Sequence, residues 1–181
     1  MPKLPTSHLR LTELATRKPT AFELVPTADE RKAIATELGI VGIKKLRFTG
    51  ALAPQGRQDW TLTADLGATV VQDCVVTLDP VNTRIDESIS RNYVADIPEI
   101  EAAEIEMPLD DTTEALPETL DLAQVMIEAL SLALPPYPRT AGADLSKAVF
   151  TEPGTAPMTD QDAKPFAGLG ALRKSLVKKG E

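Results

Sequence analysis

The chain is poor in the residue types from which most enzyme chemistry is built. Among its 181 residues there is one histidine, His8, one cysteine, Cys74, and one tryptophan, Trp60. A single imidazole, in a segment that reads as a tail, leaves no His-based triad and no multi-histidine metal site. A single thiol leaves no intramolecular disulfide and no thiol pair for a metal or redox centre, and it agrees with a reducing compartment. Among alternating valines, Cys74 reads as a small apolar strand residue. No apolar run approaches the roughly 20 residues of a membrane span. The opening MPKLPTSHLR lacks the apolar stretch of a signal peptide, so a cytoplasmic location is expected. No glycine-rich loop follows a strand, and the GLG of residues 168–170 is too short to cradle a phosphate. Aromatic residues make up 4% of the chain, and Trp60, alternating with Leu62, belongs in a core rather than on a base-stacking platform. The expectation is a protein that is not an enzyme and takes no cofactor, metal or small-molecule substrate.

What is present is charge, unevenly placed. The net charge of −8 argues against a general coat for nucleic acid, which needs a cationic surface. Residues 1–50 nevertheless hold nine Lys or Arg against five Asp or Glu, residues 92–138 hold none against eleven, and residues 163–181 hold five against one. A surface with basic and acidic regions follows, suited to a partner as well as to solubility.

The longest clear apolar period lies in LDLAQVMIEALSLALPPYP, residues 120–138. Leu122, Val125, Met126, Ala129, Leu130 and Ala133 form one helical stripe. Asp121 stands at the N-cap, Gln124 can reach back as in a weak capping box, and the following prolines stop the helix near Ala133 or Leu134. Ile127 and Leu132 lie off the stripe, which predicts a sandwiched core helix. Glu128 falls beside Gln124 and Ser131, on a solvated edge. Upstream, SHLRLTEL and AFELVP are short strand candidates. Thr27 and Glu30 make a capping box for a surface helix that closes at Gly39. KLRFT and WTLTADL alternate with period two, Leu46, Phe48, Trp60, Leu62, Ala64 and Leu66 on one side, and APQGRQ joins them as a hairpin. Gly67 is expected to turn the chain into ATVVQDCVVTL, whose buried row is ambiguous. TRIDESISRNYV follows, with Ile85, Ile89 and Tyr93 on one side. Part of the acidic stretch after it can lie along the sheet edge.

These elements predict an α+β fold: an antiparallel β-sheet meander of about four strands packed against the central amphipathic helix, with peripheral N- and C-terminal helices. The expected organisation is an N-terminal segment 1–20, a core 21–138 with an acidic connector 95–118, a flexible linker 139–162 and a C-terminal docking segment 163–181 with a basic tail.

At the central helix, Asp121, Leu122, Glu128, Leu132, Leu134, Pro135 and Pro138 resemble the signature of the YceD-like family, the bacterial large ribosomal RNA subunit accumulation proteins. The terminal PFAGLGAL, with Phe166, Leu169 and Leu172, resembles that family's closing box, and GAL at 50–52 and Cys74 before TLDPV agree. Many members carry a Cys-x-x-Cys pair where this chain reads Cys74, Val75, Val76, Thr77, and more cysteines where it reads Tyr137 to Thr140, so a four-thiolate zinc site cannot form here. The resemblance implies a ribosome biogenesis factor supporting accumulation of large-subunit (23S) ribosomal RNA, its partner a large-subunit precursor through RNA or a ribosomal protein. The candidate RNA contacts are Lys44, Lys45, Arg47, Arg173, Lys174, Lys178 and Lys179; the rival expectation is a protein-binding module that never touches RNA.

Overall fold

The computed structural model describes residues 3–15, 17–56, 58–96 and 112–143. The period-two stretches become three long strands, β3 (Gly42–Gln55), β4 (Asp59–Asp73) and β5 (Pro80–Val94), paired antiparallel in chain order. Ahead of them β2 (Thr20–Leu24) pairs antiparallel with β3, and after them β6 (Thr113–Ala115) pairs parallel with β5 at Asn92–Val94. The fold is broadly α+β, but the sheet is mixed, with a three-strand meander between two short edge strands. At 14–15 residues, the long strands reach about 50 Å at ~3.3 Å per residue.

Gly67 does not turn the chain. It sits inside β4, between Arg47 of β3 and Asp86 of β5. A Cβ built there would meet Arg84 Nη2 at 2.9 Å, so the missing side chain makes room for an arginine crossing the strand. The hairpin between β3 and β4 turns where expected, in the APQGRQ stretch, at Gly56 with φ 62°.

One sheet face carries Leu46, Phe48, Leu52, Trp60, Leu62, Ala64, Leu66, Ala68 and Val70, all buried in a single core cluster. The ambiguous row of β4 is thus settled by Ala68 and Val70. Against this face pack α1 (Ala28–Glu37) and α2 (Leu122–Ala133), with Ile34, Leu122, Met126 and Leu130 fully enclosed in the same cluster. Each such side chain stabilises the fold by roughly 1.5–3 kcal/mol through burial. The capping box of α1 is complete: Thr27 N donates to Glu30 Oε2 at 2.7 Å and Glu30 N to Thr27 Oγ1 at 3.4 Å. Those bonds from Thr27 hold the Glu30 carboxyl below its ordinary pKa. Gly39, at φ 64°, ends the helix.

In α2, Asp121 Oδ1 accepts from Ala123 N at 3.0 Å and from Ser7 N at 2.8 Å. Gln124 does not reach back; its Nε2 donates to Glu128 Oε1 at 3.3 Å. Leu132 is 84% exposed, so the helix is not sandwiched at its last turn. His8 is not in a tail. β1 (His8–Arg10) pairs with β7 (Thr119–Asp121), placing His8 opposite Asp121 and Leu9 opposite Leu120. The pairing is driven by burial, because Leu11 and Leu120 both enter the core.

The chain divides into two compact units, Met1–Ala141 and Gly142–Glu181. Of the second, only Gly142 and Ala143 are described. Residues 97–111 of the acidic connector, the linker beyond residue 143 and the whole segment 163–181 lie outside the described residues.

Candidate nucleic-acid interface

Alternation that buries one row of each strand presents the other row to solvent. On that second face Lys45, Arg47, Asp65, Arg84, Asp86 and Ser88 are exposed. Cross-strand register sets Lys45 beside Thr69 and Arg84, Arg47 beside Gly67 and Asp86, and Thr49 beside Asp65 and Ser88. A shallow recess centred on Gly67 is lined by Arg31, Lys44, Lys45, Arg47 and Arg84 against Asp65, Asp86 and Glu87. Five cations face three carboxylates, on a chain whose net charge is −8.

Lys44 reaches this recess through a bulge. Ile43 pairs with Val70 and Lys45 with Thr69, leaving Lys44 as an extra residue in β3. In a regular strand one of two successive lysines would point into the core. Here Ile43 and Leu46 are buried while Lys44 and Lys45 are both exposed. The neighbouring arginines are engaged. Arg47 Nε lies 2.9 Å from Glu23 Oε1. Arg84 pairs with Asp86 through Nε to Oδ2 at 2.8 Å and through Nη2 to Oδ1. The bonded pair raises the Arg84 pKa and lowers that of Asp86. Arg31 donates to Pro26 O at 2.7 Å and to Ile43 O at 3.3 Å. Among the described residues no ion pair involves Lys44 or Lys45.

The residues of the central signature mostly staple the fold. Asp121 caps α2 and Leu122 is buried. Glu128 Oε2 takes Arg91 Nη1 at 2.9 Å, and the same nitrogen lies 3.1 Å from Glu114 Oε1, tying α2 and β6 to β5. Burial works against the charge on Arg91, but bonding to Glu128 and the Glu114 charge raise its pKa on balance. Tyr93 beside them is buried, and first burial, then the Glu114 charge, raises its phenol pKa. Leu134 is partly buried against the core. Pro135 O accepts from Gln72 Nε2 at 3.1 Å, and Pro138 O accepts from Val75 N at 3.0 Å. Leu132 alone among them stands out in solvent as a large apolar side chain.

Cys74 lies just past the end of β4 rather than within a strand, in a turn closed by Leu78 N to Cys74 O at 2.9 Å. Its buried Sγ accepts from Thr77 N at 3.5 Å and Thr140 N at 3.4 Å. The Thr77 side chain first, then these backbone donors, pull its pKa down to about 6 against the opposing effect of burial. Among the described residues no group of three or more His, Cys, Asp or Glu could hold a metal ion.

Of the residues named from sequence, Lys44, Lys45 and Arg47 meet in one recess. Arg173, Lys174, Lys178, Lys179, Phe166, Leu169 and Leu172 lie outside the described residues. Three arginines escaped the sequence reading. Arg84 follows from alternation, being out of phase with Ile85, and Arg91 shares the row of Ile85, Ile89 and Tyr93, where a cation needs carboxylates. Arg31 gave no local signal.

A family model described as the large ribosomal RNA subunit accumulation protein YceD matches residues 62–173, more than half of the chain. The chain belongs to the YceD family. The match begins at Leu62 within β4 and takes in β5, β6, β7 and α2, and so includes Gly67, Arg84, Asp86 and the Arg91 ion pairs. β3, with Lys44 and Lys45, precedes it. Neither the curated proteins nor the solved structures contain a match to this YceD-family chain. No helix among the described residues is long and apolar enough to cross a membrane.

Proposed function

We propose that this YceD-family chain is a non-enzymatic, cytoplasmic ribosome biogenesis factor that supports accumulation of large-subunit RNA by contacting its phosphates. The family description supports the involvement of that RNA. The observation that carries the contact is the recess around Gly67, where a bulge turns Lys44 and Lys45 outward with no ion pair among the described residues. Arg47 and Arg84 extend the cationic strip once phosphate competes for them with Glu23 and Asp86. Arg173, Lys174, Lys178 and Lys179 complete the proposed RNA contacts, and the acidic stretch of residues 92–138 engages a basic protein, so that the chain bridges the two.

The rival reading is a protein-binding module without RNA contact. What favours it is that two recess arginines already hold carboxylates of their own chain. Salt dependence separates the two. Binding of purified full-length protein to large-subunit RNA fragments should weaken steeply with salt. The double variant Lys44→Gln/Lys45→Gln should flatten the log–log slope by about 1.4, two contacts at ~0.7 each on single strands. An unchanged slope and affinity in that variant removes the recess as the RNA site. Association with large-subunit precursors that survives high salt supports the protein-only reading.

A further inference from the structure

A second recess opens at the sheet edge, between the last turns of α2 and the β5 strand. Its apolar floor is Ile89, Ala133 and Leu132, and nothing in the described fold covers Leu132. Its rim is acidic. Glu87 and Glu114 line it, and Glu128 reaches it through Arg91, which both Glu114 and Glu128 already hold. β6 pairs with β5 only at Asn92–Val94, so among the described residues the outer edge of β5 from Glu87 to Arg91 has no strand partner. An extended segment laid there gains backbone hydrogen bonds as well as side-chain contacts.

We infer that this recess docks a lysine- or arginine-rich segment of another protein, its aliphatic anchor on Leu132 and Ile89 and its cations on Glu87, Glu114 and Glu128. Charge decides the occupant. Nucleic acid is repelled by the carboxylate rim. A basic segment is the complement, and proteins that coat RNA carry such segments. The inference rests on the proposed bridge, for which it supplies the protein-binding side.

The probe is a labelled peptide of alternating lysine and leucine, titrated into the full-length chain by fluorescence anisotropy. Binding should weaken at least about tenfold in Leu132→Glu, the loss of a central anchor, and also weaken in Glu87→Lys, while Lys44→Gln/Lys45→Gln leaves it unchanged. Leu132→Glu should in turn leave RNA binding unchanged, so each surface can fail alone. Absence of binding to the unaltered chain overturns the inference, as does equal affinity for Leu132→Glu or equal binding of a glutamate–leucine peptide. A photocrosslinker at Ser131 that captures the chain's own residues 97–111 or 163–181 assigns the recess to this chain, and overturns it too.

Discussion

The two faces of the sheet come from the same strands by the same alternation, yet they carry different duties. The row of Phe48, Leu62, Leu66 and Val70 is fully enclosed, whereas the row of Lys45, Arg47, Asp65 and Arg84 stands in solvent. On the first face a side chain is chosen by volume and its loss is felt as stability; on the second it is chosen by charge, and under the proposed function its loss is felt as binding. The difference teaches where a functional defect must be sought. A variant that abolishes activity from the packed face says nothing about partners, while one on the open face is expected, under the proposed function, to change partners without changing the fold.

The largest effect expected is on the packed face. Phe48 is fully buried between Leu24 and Leu66 in register and meets the Phe22 ring at 5.4 Å between centroids. Phe48→Ala should destabilise the protein by about 3–5 kcal/mol, as buried phenylalanine truncations do. Urea denaturation reads this. By contrast, Lys44→Gln/Lys45→Gln should move stability by less than about 0.5 kcal/mol. A large loss of stability in the lysine variant would break the division between the faces.

Arg91 is the exception that sharpens it. It occupies the packed row, in register with Leu62, and its side chain is 16% exposed. Two carboxylates make that position tolerable. Arg91→Ala leaves Glu114 and Glu128 facing each other without a cation and should cost about 1–3 kcal/mol. A change within error would mean that solvent already screens the cluster, since both carboxylates are about half exposed.

A smaller gain is expected at the turn beyond β4. Leu78 has φ 62°, a left-handed conformation, with its side chain 75% exposed. Leu78→Gly removes the Cβ conflict and should stabilise by roughly 0.5–1 kcal/mol, less any added freedom of the unfolded chain. Thermal unfolding measures the difference. A loss instead would show that the Leu78 side chain contributes contact at the surface.

How much of this was readable before the structure depends on how local each cause is. The stripe of α2, the cap at Asp121, the Thr27–Glu30 box and the alternation of Leu46 with Phe48 are set by neighbours within four residues, and all are found. Gly67 misled because glycine ordinarily punctuates; its reason to sit in a strand is Arg84, seventeen positions on and diagonal in the sheet. His8 misled because its strand partner is Asp121, a pairing chosen by burial of Leu9 and Leu11 rather than by anything nearby in sequence. The lysine pair was legible as charge. That both lysines face outward was not, because a period of two cannot announce a bulge.

An effect that appears only with pH concerns Cys74, where the alternation of β4 gives way to the turn and neither face rule applies. Thr77 and Thr140 direct donors at its sulfur, and the pKa falls to about 6, against ~8.5 for a free thiol. Donors of this kind favour the thiolate in the folded chain, and the unfolded chain lacks them. The folded pKa is the lower one, so the unfolded state binds more protons between pH 6 and the ordinary thiol range. Stability from this source is therefore fully present above the unfolded pKa, and declines as pH falls toward about 6. Below that it is gone. The unfolding midpoint of the unaltered chain should rise with pH across this window relative to Cys74→Ala, with the two curves parallel below it. Curves parallel throughout would mean that burial holds the thiol protonated, making Cys74 a packed apolar residue like those of the enclosed face.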